Sequence, residues 1–276
     1  MQKYYAPIIL ITGNFFFTIS FSLAKLLTVS IPVETIMLFR FLAGPVYLAP
    51  YFLIKRKPLK VKSLKIFLLR VIFGVSAMSC LFLSFKYGQI GKSMLIFECS
   101  TIWTLIYGYF IHKNKPHNYS IVAIPIAFIG IFLILQPGSE FNLGDFYALL
   151  GSVLNAGVYL TLKELRNNYD TTTIVLISYM LSSIIMLGPN VITFPSLTFH
   201  SFWILILMCS IGLIGQCMMT LGFKFATAGI SSLLMLSIIP LTTISGILIF
   251  NETYSNIIWI GLSLVTGSLF VISKWQ

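Results

Sequence analysis

The segment LSFKYGQIGKS at residues 83–93 recurs as LGFKFATAGIS at residues 221–231, an offset of 138 positions that we call the repeat offset. Extended outward, residues 74–111 align with 212–249 without gaps and share eleven identities in 38 positions. Apolar composition raises the number of chance matches, but it does not explain repeated Lys, Gly and Ser residues. Repeated pairs include Lys25 with Lys163, Lys86 with Lys224, Gly91 with Gly229, Ser93 with Ser231, Thr104 with Thr242 and Gly108 with Gly246. The sequence therefore predicts two copies of one structural unit, 1–137 and 138–276.

The composition places most of the chain in a membrane. Of its 276 residues, 58% are hydrophobic and 9% are charged, and the mean hydropathy is +0.96. Soluble domains carry about 25% charged residues, so most of this apolar surface has to face lipid. A spanning helix needs about 20 apolar residues, which leaves no room for a soluble catalytic domain.

Ten apolar segments separated by short turns are predicted to be membrane-spanning helices, each bounded to within about three residues. The first is interpreted as a span rather than a signal peptide, because it is longer than the usual apolar core of such a peptide. Numbered one to ten, the spans are 5–27, 34–54, 63–87, 91–111, 119–136, 143–163, 172–194, 201–224, 229–250 and 255–273. The predicted fold class is an all-α integral membrane protein with ten transmembrane helices.

Lysine and arginine residues predict the orientation, because they accumulate on the cytoplasmic side. With the N-terminus inside, thirteen of them lie at inner ends of spans and three, Lys25, Lys86 and Lys92, lie at outer ends. Both termini are therefore predicted to be cytoplasmic. The net charge of +11 is explained by this bias, not by nucleic-acid binding.

Each copy contains five spans, an odd number, so the second copy is expected to enter the membrane upside down. Inverted repeats of this kind are typical of secondary transporters, whose substrate site lies between the copies. Two inverted copies supply two conformations of similar energy that open to opposite sides, as alternating access requires.

The chain resembles the EamA-like branch of the drug/metabolite transporter superfamily over essentially its whole length. The motifs that carry the resemblance are Phe39-Arg40-Phe41, Leu83-Ser84-Phe85-Lys86-Tyr87, Gly222-Phe223-Lys224-Phe225-Ala226, Pro240-Leu241-Thr242 and Phe250-Asn251-Glu252. Each motif is short, and their order, the ten spans and the duplication make the resemblance specific. It implies a carrier of amino acids, nucleosides, S-adenosylmethionine or similar metabolites, with a central cavity lined by spans one, three, four, six, eight and nine.

The first copy departs from the family pattern at two positions. Ile102 stands where the family usually has a proline matching Pro240, and Asn114 stands where it usually has a glutamate matching Glu252. Roles that the family gives to these positions are therefore not carried over to the first copy.

Arg40 and Glu98 are the first candidates for substrate contact, because they lie at similar depths in spans two and four. A charge at the bilayer centre costs about 2.5–3.5 kcal/mol on the insertion scale, so neither side chain is expected to face lipid. Two alternatives remain open for them. They either form a fixed ion pair or meet a zwitterionic or charged substrate.

Further candidates are amides and aromatic side chains within the spans, for which helix packing is the alternative role. They are Asn14, Asn155, Gln216, Trp103 and Tyr159, with Phe97 as another possible stacking surface. Lys86 and Lys224 end their spans and are expected either to anchor the helices or to gate the two mouths of the cavity. Lys25 and Lys163 are expected to anchor, and Arg70 is expected to snorkel to the membrane surface.

Several other functions are excluded or disfavoured. Gly91-Lys92-Ser93 is not a phosphate loop, because Lys86 stands where that motif needs a glycine. No HExxH or GxSxG motif occurs, and the four cysteines lack CxxC spacing and are assigned to packing. We therefore expect no enzyme, no cofactor and no metal, and transport driven by an ion gradient, by exchange or by the substrate's own gradient.

The sequence thus predicts a secondary transporter of a small polar metabolite, amino-acid-like or S-adenosylmethionine-like, in the bacterial inner membrane. A composition rich in Ile, Phe, Lys and Tyr, typical of AT-rich genomes, favours uptake slightly. Alternatives are an exporter of amino acids or drugs with the same fold, a channel or scaffold, and a membrane-embedded enzyme. The expected partners are the substrate and the lipid bilayer but no nucleic acid, and a homodimer is one alternative for the oligomeric state.

Overall fold

The structure, a computed structural model, describes residues 5–56, 61, 63–112, 125–126, 129–130, 133, 141–192, 194–195 and 197–274. Its regular elements over these residues are all helices. They are α1 (Tyr5–Leu27), α2 (Val33–Ile54), α3 (Leu64–Tyr87), α4 (Ile90–Phe97), α5 (Ser100–His112), α6 (Leu143–Arg166), α7 (Thr171–Ile192), α8 (Phe199–Gly222), α9 (Ala228–Met235), α10 (Ile238–Phe250) and α11 (Asn256–Lys274).

Six of these helices, α1, α2, α3, α6, α7 and α8, are long and apolar enough to cross a membrane. Large apolar side chains cover the outside of the bundle, with Leu53 77% exposed and Leu248 75% exposed. Such a surface is stable against lipid and unstable against water. α11 coincides with the predicted tenth span, whereas most of the predicted fifth span, 119–136, lies outside the described residues. The count of ten spans therefore stays a prediction.

Spans four and nine are each divided into two helices, which the sequence interpretation had treated as single segments. α4 ends at Phe97 and α5 begins at Ser100, and at the repeat offset α9 ends at Met235 and α10 begins at Ile238. In the second copy the cause is visible in the sequence, because Pro240 lies in the first turn of α10, where its missing N–H is tolerated. The first copy has Ile102 at that position and breaks without a proline.

Helix packing interleaves the two copies. The most extensive contacts join α1 to α8, α3 to α6 and α2 to α7. The repeat offset exchanges the first two of these pairs and maps the third onto itself. α4 packs on α10 and α5 on α9 in the same way. Each helix of one copy that lines the core therefore has its main partner in the other copy.

The tight contact between α1 and α8 depends on glycine. A Cβ added to Gly13 would lie 3.1 Å from the Met218 Cβ, and one added to Gly215 would lie 3.1 Å from the Gly13 carbonyl oxygen. Gly151 is the counterpart of Gly13 at the repeat offset, and its added Cβ would lie 3.1 Å from the Cys80 Cβ on α3. Close backbone approach through small residues is how helices associate without a hydrophobic driving force in lipid.

Candidate functional site

A cavity lies between the helices and is lined by both copies. Its polar lining consists of Arg70, Glu98, Asn155, Tyr159, Ser178, Ser182 and Gln216, and its aromatic lining of Phe17, Phe21, Phe41, Phe97 and Tyr179. Phe41 lies in α2 and Tyr179 in α7. Spans two and seven therefore contribute as well, which extends the set of lining spans that the resemblance implied.

Glu98 lies at the break between α4 and α5, where the chain leaves the helical ladder. Its carboxylate is 3% exposed and accepts a hydrogen bond from the Tyr159 hydroxyl at 3.1 Å. Asn155, one turn before Tyr159 on α6, donates to the Ser100 hydroxyl at 3.0 Å. Three predicted candidates, Glu98, Asn155 and Tyr159, therefore converge on one wall of the cavity.

Arg70 does not snorkel to the membrane surface, and the expectation that it would was wrong. It is 6% exposed and lines the cavity, where its Nη1 donates to the Val158 carbonyl at 3.0 Å. Its Nε is buried with no hydrogen-bond partner. Because Val158 and Tyr159 are neighbours on α6, one helix contacts both Arg70 and Glu98.

Arg40 is buried but does not form the ion pair with Glu98 that was one of the two alternatives. Its Nη1 donates to the Ser20 hydroxyl at 3.2 Å, and its Nε and Nη2 lack hydrogen-bond partners. The guanidinium lies among three phenyl rings, 5.8 Å from the Phe17 centroid, 5.4 Å from Phe21 and 5.8 Å from Phe82. Cation–π contacts of this length are favourable in a dry interior. Arg40 thus lies behind the aromatic wall of the cavity.

The remaining candidates divide between the cavity and the packing around it. Gln216 lines the cavity. Asn14 is fully buried and donates to the Met235 carbonyl at 2.9 Å and to the Ser237 hydroxyl at 2.8 Å. It therefore forms hydrogen bonds with the backbone and a side chain at the break between α9 and α10. Trp103 is outside the cavity lining and donates to the Ser152 hydroxyl at 3.1 Å. A position within an apolar span does not show which way a side chain faces.

One end of the bundle is held by ion pairs that sequence reasoning missed. We call this end, formed by Lys25 and residues 88–92, 142–145 and 251–254, the Lys25 end. Lys25 pairs with Glu252, and Lys92 pairs with Asp145 at 2.9 Å. The available signal was that Lys25 and Lys92 were predicted at outer ends of spans.

The opposite end, formed by Lys163 and residues 223–227, is called the Lys163 end. Lys163 donates to the carbonyls of Phe223 at 3.1 Å and Ala226 at 2.6 Å. Lys25 likewise donates to the Gly88 carbonyl at 3.1 Å, and Gly88 is the counterpart of Ala226 at the repeat offset. Both lysines therefore bind the chain at the C-terminal end of a neighbouring helix, a favourable place for a cation, instead of anchoring in lipid.

Lys86 and Lys224 also occupy equivalent places. Both are exposed at the ends of α3 and α8, with the Lys86 Nζ 5.5 Å from the Tyr87 ring centroid and the Lys224 Nζ 5.7 Å from that of Phe225. The choice between anchoring and gating stays a prediction for both.

An apolar exterior, interleaved helices and a partly polar internal cavity define an integral membrane protein of helical type. The model of the EamA-like transporter family matches the chain twice, over residues 5–136 and 142–274. The chain therefore belongs to the EamA-like transporter family.

Relatives and a solved structure agree with this assignment. An uncharacterized transporter of Clostridium kluyveri is 27% identical over 258 residues, which cover 86% of this chain and 80% of that protein. An uncharacterized transporter of Helicobacter pylori is 27% identical over 190 residues, and the match spans 63% of the length of each chain. A crystal structure covering 98% of this chain and 96% of its own has a TM-score of 0.72 at 12% identity, which supports the fold alone.

Proposed function

We propose that this protein is a secondary transporter that moves a small polar metabolite across the bacterial inner membrane by alternating access. The observation that carries the proposal is the cavity between residues 1–137 and 138–276, which both copies line. Carriers of this kind bind their substrate at the interface of two repeats, and the repeats move around it.

The placement of α1 and α6 supports inverted copies. These helices correspond to each other at the repeat offset. α1 finishes at the Lys25 end, where Lys25 binds Gly88 and Glu252. α6 begins there, where Asp145 in its first turn binds Lys92 at 2.9 Å, and it finishes near Lys163. The two helices therefore run in opposite directions, and the positive-inside rule would place the Lys163 end and both chain termini in the cytoplasm.

The cavity supports a substrate that is polar and partly flat, either amino-acid-like or S-adenosylmethionine-like. Glu98 offers an acceptor for an ammonium or another donor, and the unpartnered Nε of Arg70 belongs to a guanidinium that can bind a carboxylate. The phenyl rings of Phe17 and Phe21, which also line the cavity, can pack on an apolar or planar group.

Counterflow in proteoliposomes tests the proposal. Labelled amino acids, nucleosides and S-adenosylmethionine are offered to the wild-type protein, to Glu98→Gln and to Glu34→Gln. Glu34 is an exposed carboxylate in the first turn of α2 and serves as the matched control. We expect saturable counterflow of at least one compound, lowered about tenfold in Glu98→Gln, as loss of one charged hydrogen bond implies, and unchanged in Glu34→Gln.

Other outcomes separate the alternatives. Flux that does not saturate and shows no counterflow would indicate a channel, and no flux of any panel compound would contradict a carrier of these metabolites. If Glu98→Gln left counterflow intact, the protein would still be a carrier, but Glu98 would not be part of its substrate site.

A further inference from the structure

Glu252 is the hub of contacts at the Lys25 end. Its carboxylate binds the Lys25 ammonium, accepts the backbone N–H of Ile90 at 2.8 Å and that of Gly91 at 3.4 Å, and receives the Tyr254 hydroxyl. Ile90 and Gly91 form the first turn of α4, so a carboxylate here also meets the positive end of a helix dipole. Burial and the hydrogen bond to Glu252 raise the pKa of Tyr254, which keeps its hydroxyl a donor.

The side chains around Glu252 are closely packed, so their contacts cannot persist if the two copies separate at the Lys25 end. A Cβ on Gly91 would collide with the Tyr254 hydroxyl, and one on Gly246 would lie 2.5 Å from the Glu252 Oε2. Glu252 and Tyr254 belong to the second copy, whereas Lys25 and α4 belong to the first. Separating the copies at this end therefore breaks every bond that Glu252 makes across the boundary.

A second ion pair crosses the same boundary. Lys92 lies on α4 of the first copy and Asp145 on α6 of the second, with Nζ and Oδ2 2.9 Å apart and both side chains buried. Removing one partner of a buried pair leaves an uncompensated charge, which costs far more than an exposed pair contributes.

Comparison at the repeat offset shows that neither ion pair is duplicated at the Lys163 end. Lys92 corresponds to Ile230 and Asp145 to Pro7, which are both apolar. Lys25 corresponds to Lys163, and Glu252 corresponds to Asn114, which lies outside the described residues. Among the described residues, Lys163 has hydrogen bonds to two carbonyls and no carboxylate partner.

We propose that the pairs Lys25–Glu252 and Lys92–Asp145 form a one-sided latch that holds the Lys25 end shut in the substrate-free carrier. This proposal rests on the proposed alternating access. In the resting protein the cavity is then accessible from the Lys163 side. A substrate that arrives from the Lys25 side can bind only to the minor population of molecules in which the latch is open. Its apparent affinity from that side is reduced by the fraction of unlatched molecules.

Sided cysteine labelling tests the latch. Ala77 is a buried residue of α3 that lines the cavity, so Ala77→Cys is the reporter after Cys80, Cys99, Cys209 and Cys217 have been changed to alanine. An impermeant maleimide is added to membrane vesicles of either orientation. Val29→Cys, 89% exposed at the turn after α1, marks the Lys25 end in a parallel sample.

We expect the reporter to react mainly from the Lys163 side in the parent protein. Glu252→Gln and Lys92→Gln should each raise its rate from the Lys25 side about tenfold, since each removes one buried pair that favours the closed end. Lys163 is the counterpart of Lys25 at the repeat offset and lies at the other end of the bundle. Lys163→Met is therefore the control and should not raise labelling from the Lys25 side.

Transport itself gives a second measurement that does not depend on the reporter. The half-saturation concentration should be higher from the Lys25 side than from the Lys163 side, and Glu252→Gln should bring the two values together. Suppose that Glu252→Gln changes neither the labelling nor the difference in half-saturation concentration between the two sides, and that counterflow is intact. That result would contradict the latch but not the proposal that the protein is a carrier. Absence of counterflow in the parent protein would instead contradict the proposal that the protein is a carrier, whatever the labelling shows.

Discussion

The break between α4 and α5 is lined by polar side chains, whereas the break between α9 and α10 is lined by apolar ones at the matching positions. Glu98, Ser100, Asn155 and Tyr159 surround the first break. Their counterparts at the repeat offset are Leu236, Ile238, Phe17 and Phe21. Six of these eight residues line the same cavity, and the other two, Ser100 and Leu236, lie at the two breaks. The backbone break occurs in both copies, whereas these four polar side chains, two from each copy, surround the first break.

This difference gives the cavity two unlike walls, one that accepts and donates hydrogen bonds and one that is aromatic. The second break is nevertheless not without polar support, because Asn14 donates to the carbonyls of Leu234 and Met235 there. The counterpart of Asn14 at the repeat offset is Ser152 of the second copy, whose hydroxyl accepts a hydrogen bond from Trp103. Duplication thus supplies the geometry of the proposed site, and divergence of the copies supplies its polarity.

The strongest way to break the comparison is to place a carboxylate at the apolar break. Leu236→Glu puts a carboxylate at the break between α9 and α10, where Phe21 stands at the position that corresponds to Tyr159 and has no hydroxyl to donate to it. We expect a loss of about 3 kcal/mol in stability, the insertion cost of a central carboxylate. Thermal unfolding of the purified protein in detergent measures it, with Leu236→Met as the control. Normal stability of Leu236→Glu would mean that the two breaks are equally able to hold a charge.

Asn14→Leu tests whether an amide replaces the polar cluster at the second break. It removes the bonds to Met235 and Ser237 and leaves a buried carbonyl unsatisfied, so we expect a loss of about 2 kcal/mol in the free energy of unfolding. The same thermal assay applies. Thr12→Val is the control, because the Thr12 hydroxyl bonds only its own helix at Ile8 among the bonds described. Equal effects of the two substitutions would show that Asn14 does not support the break.

Tyr159→Phe makes the first break resemble the second, because Phe21 is the counterpart of Tyr159 at the repeat offset. It removes the hydroxyl that donates to Glu98 at 3.1 Å without changing the ring. We expect the half-saturation concentration for counterflow to rise about threefold, a small share of one hydrogen bond, with little change in stability. Tyr47→Phe, which removes a hydroxyl on the outside of α2, provides the reference. An unchanged half-saturation concentration would assign Tyr159 to packing.

Trp103→Phe should have the smallest effect, because Trp103 lies outside the cavity lining. Loss of its bond to Ser152 should cost about 0.5–1 kcal/mol in stability and leave the half-saturation concentration for counterflow unchanged. A change in substrate affinity as large as that of Tyr159→Phe would return Trp103 to the binding site, where the sequence had placed it.

The sequence predicted most of the fold because apolar length and turn residues determine where helices begin and end. It also predicted that Glu98, Asn155 and Tyr159 lie in the interior. It did not predict that Arg70 lines the cavity or that Trp103 does not, since in an apolar helix the lipid-facing and interior sides look alike and the rotation of the helix is not encoded in a hydrophobic stripe. Pro240 signals the break in span nine, but no comparable residue signals the break in span four.

The interleaving of α1 with α8 has a consequence for how the protein is made. Asn14 finds its acceptor, the Met235 carbonyl, 221 residues further along the chain, and Ser20 donates to the Met208 carbonyl 188 residues away. At a synthesis rate of about 5–20 residues per second, the first helix spends on the order of ten seconds or more in the bilayer before those partners emerge from the ribosome. During biogenesis α1 is therefore made well before the residues that accept the hydrogen bonds of Asn14 and Ser20 have been synthesised.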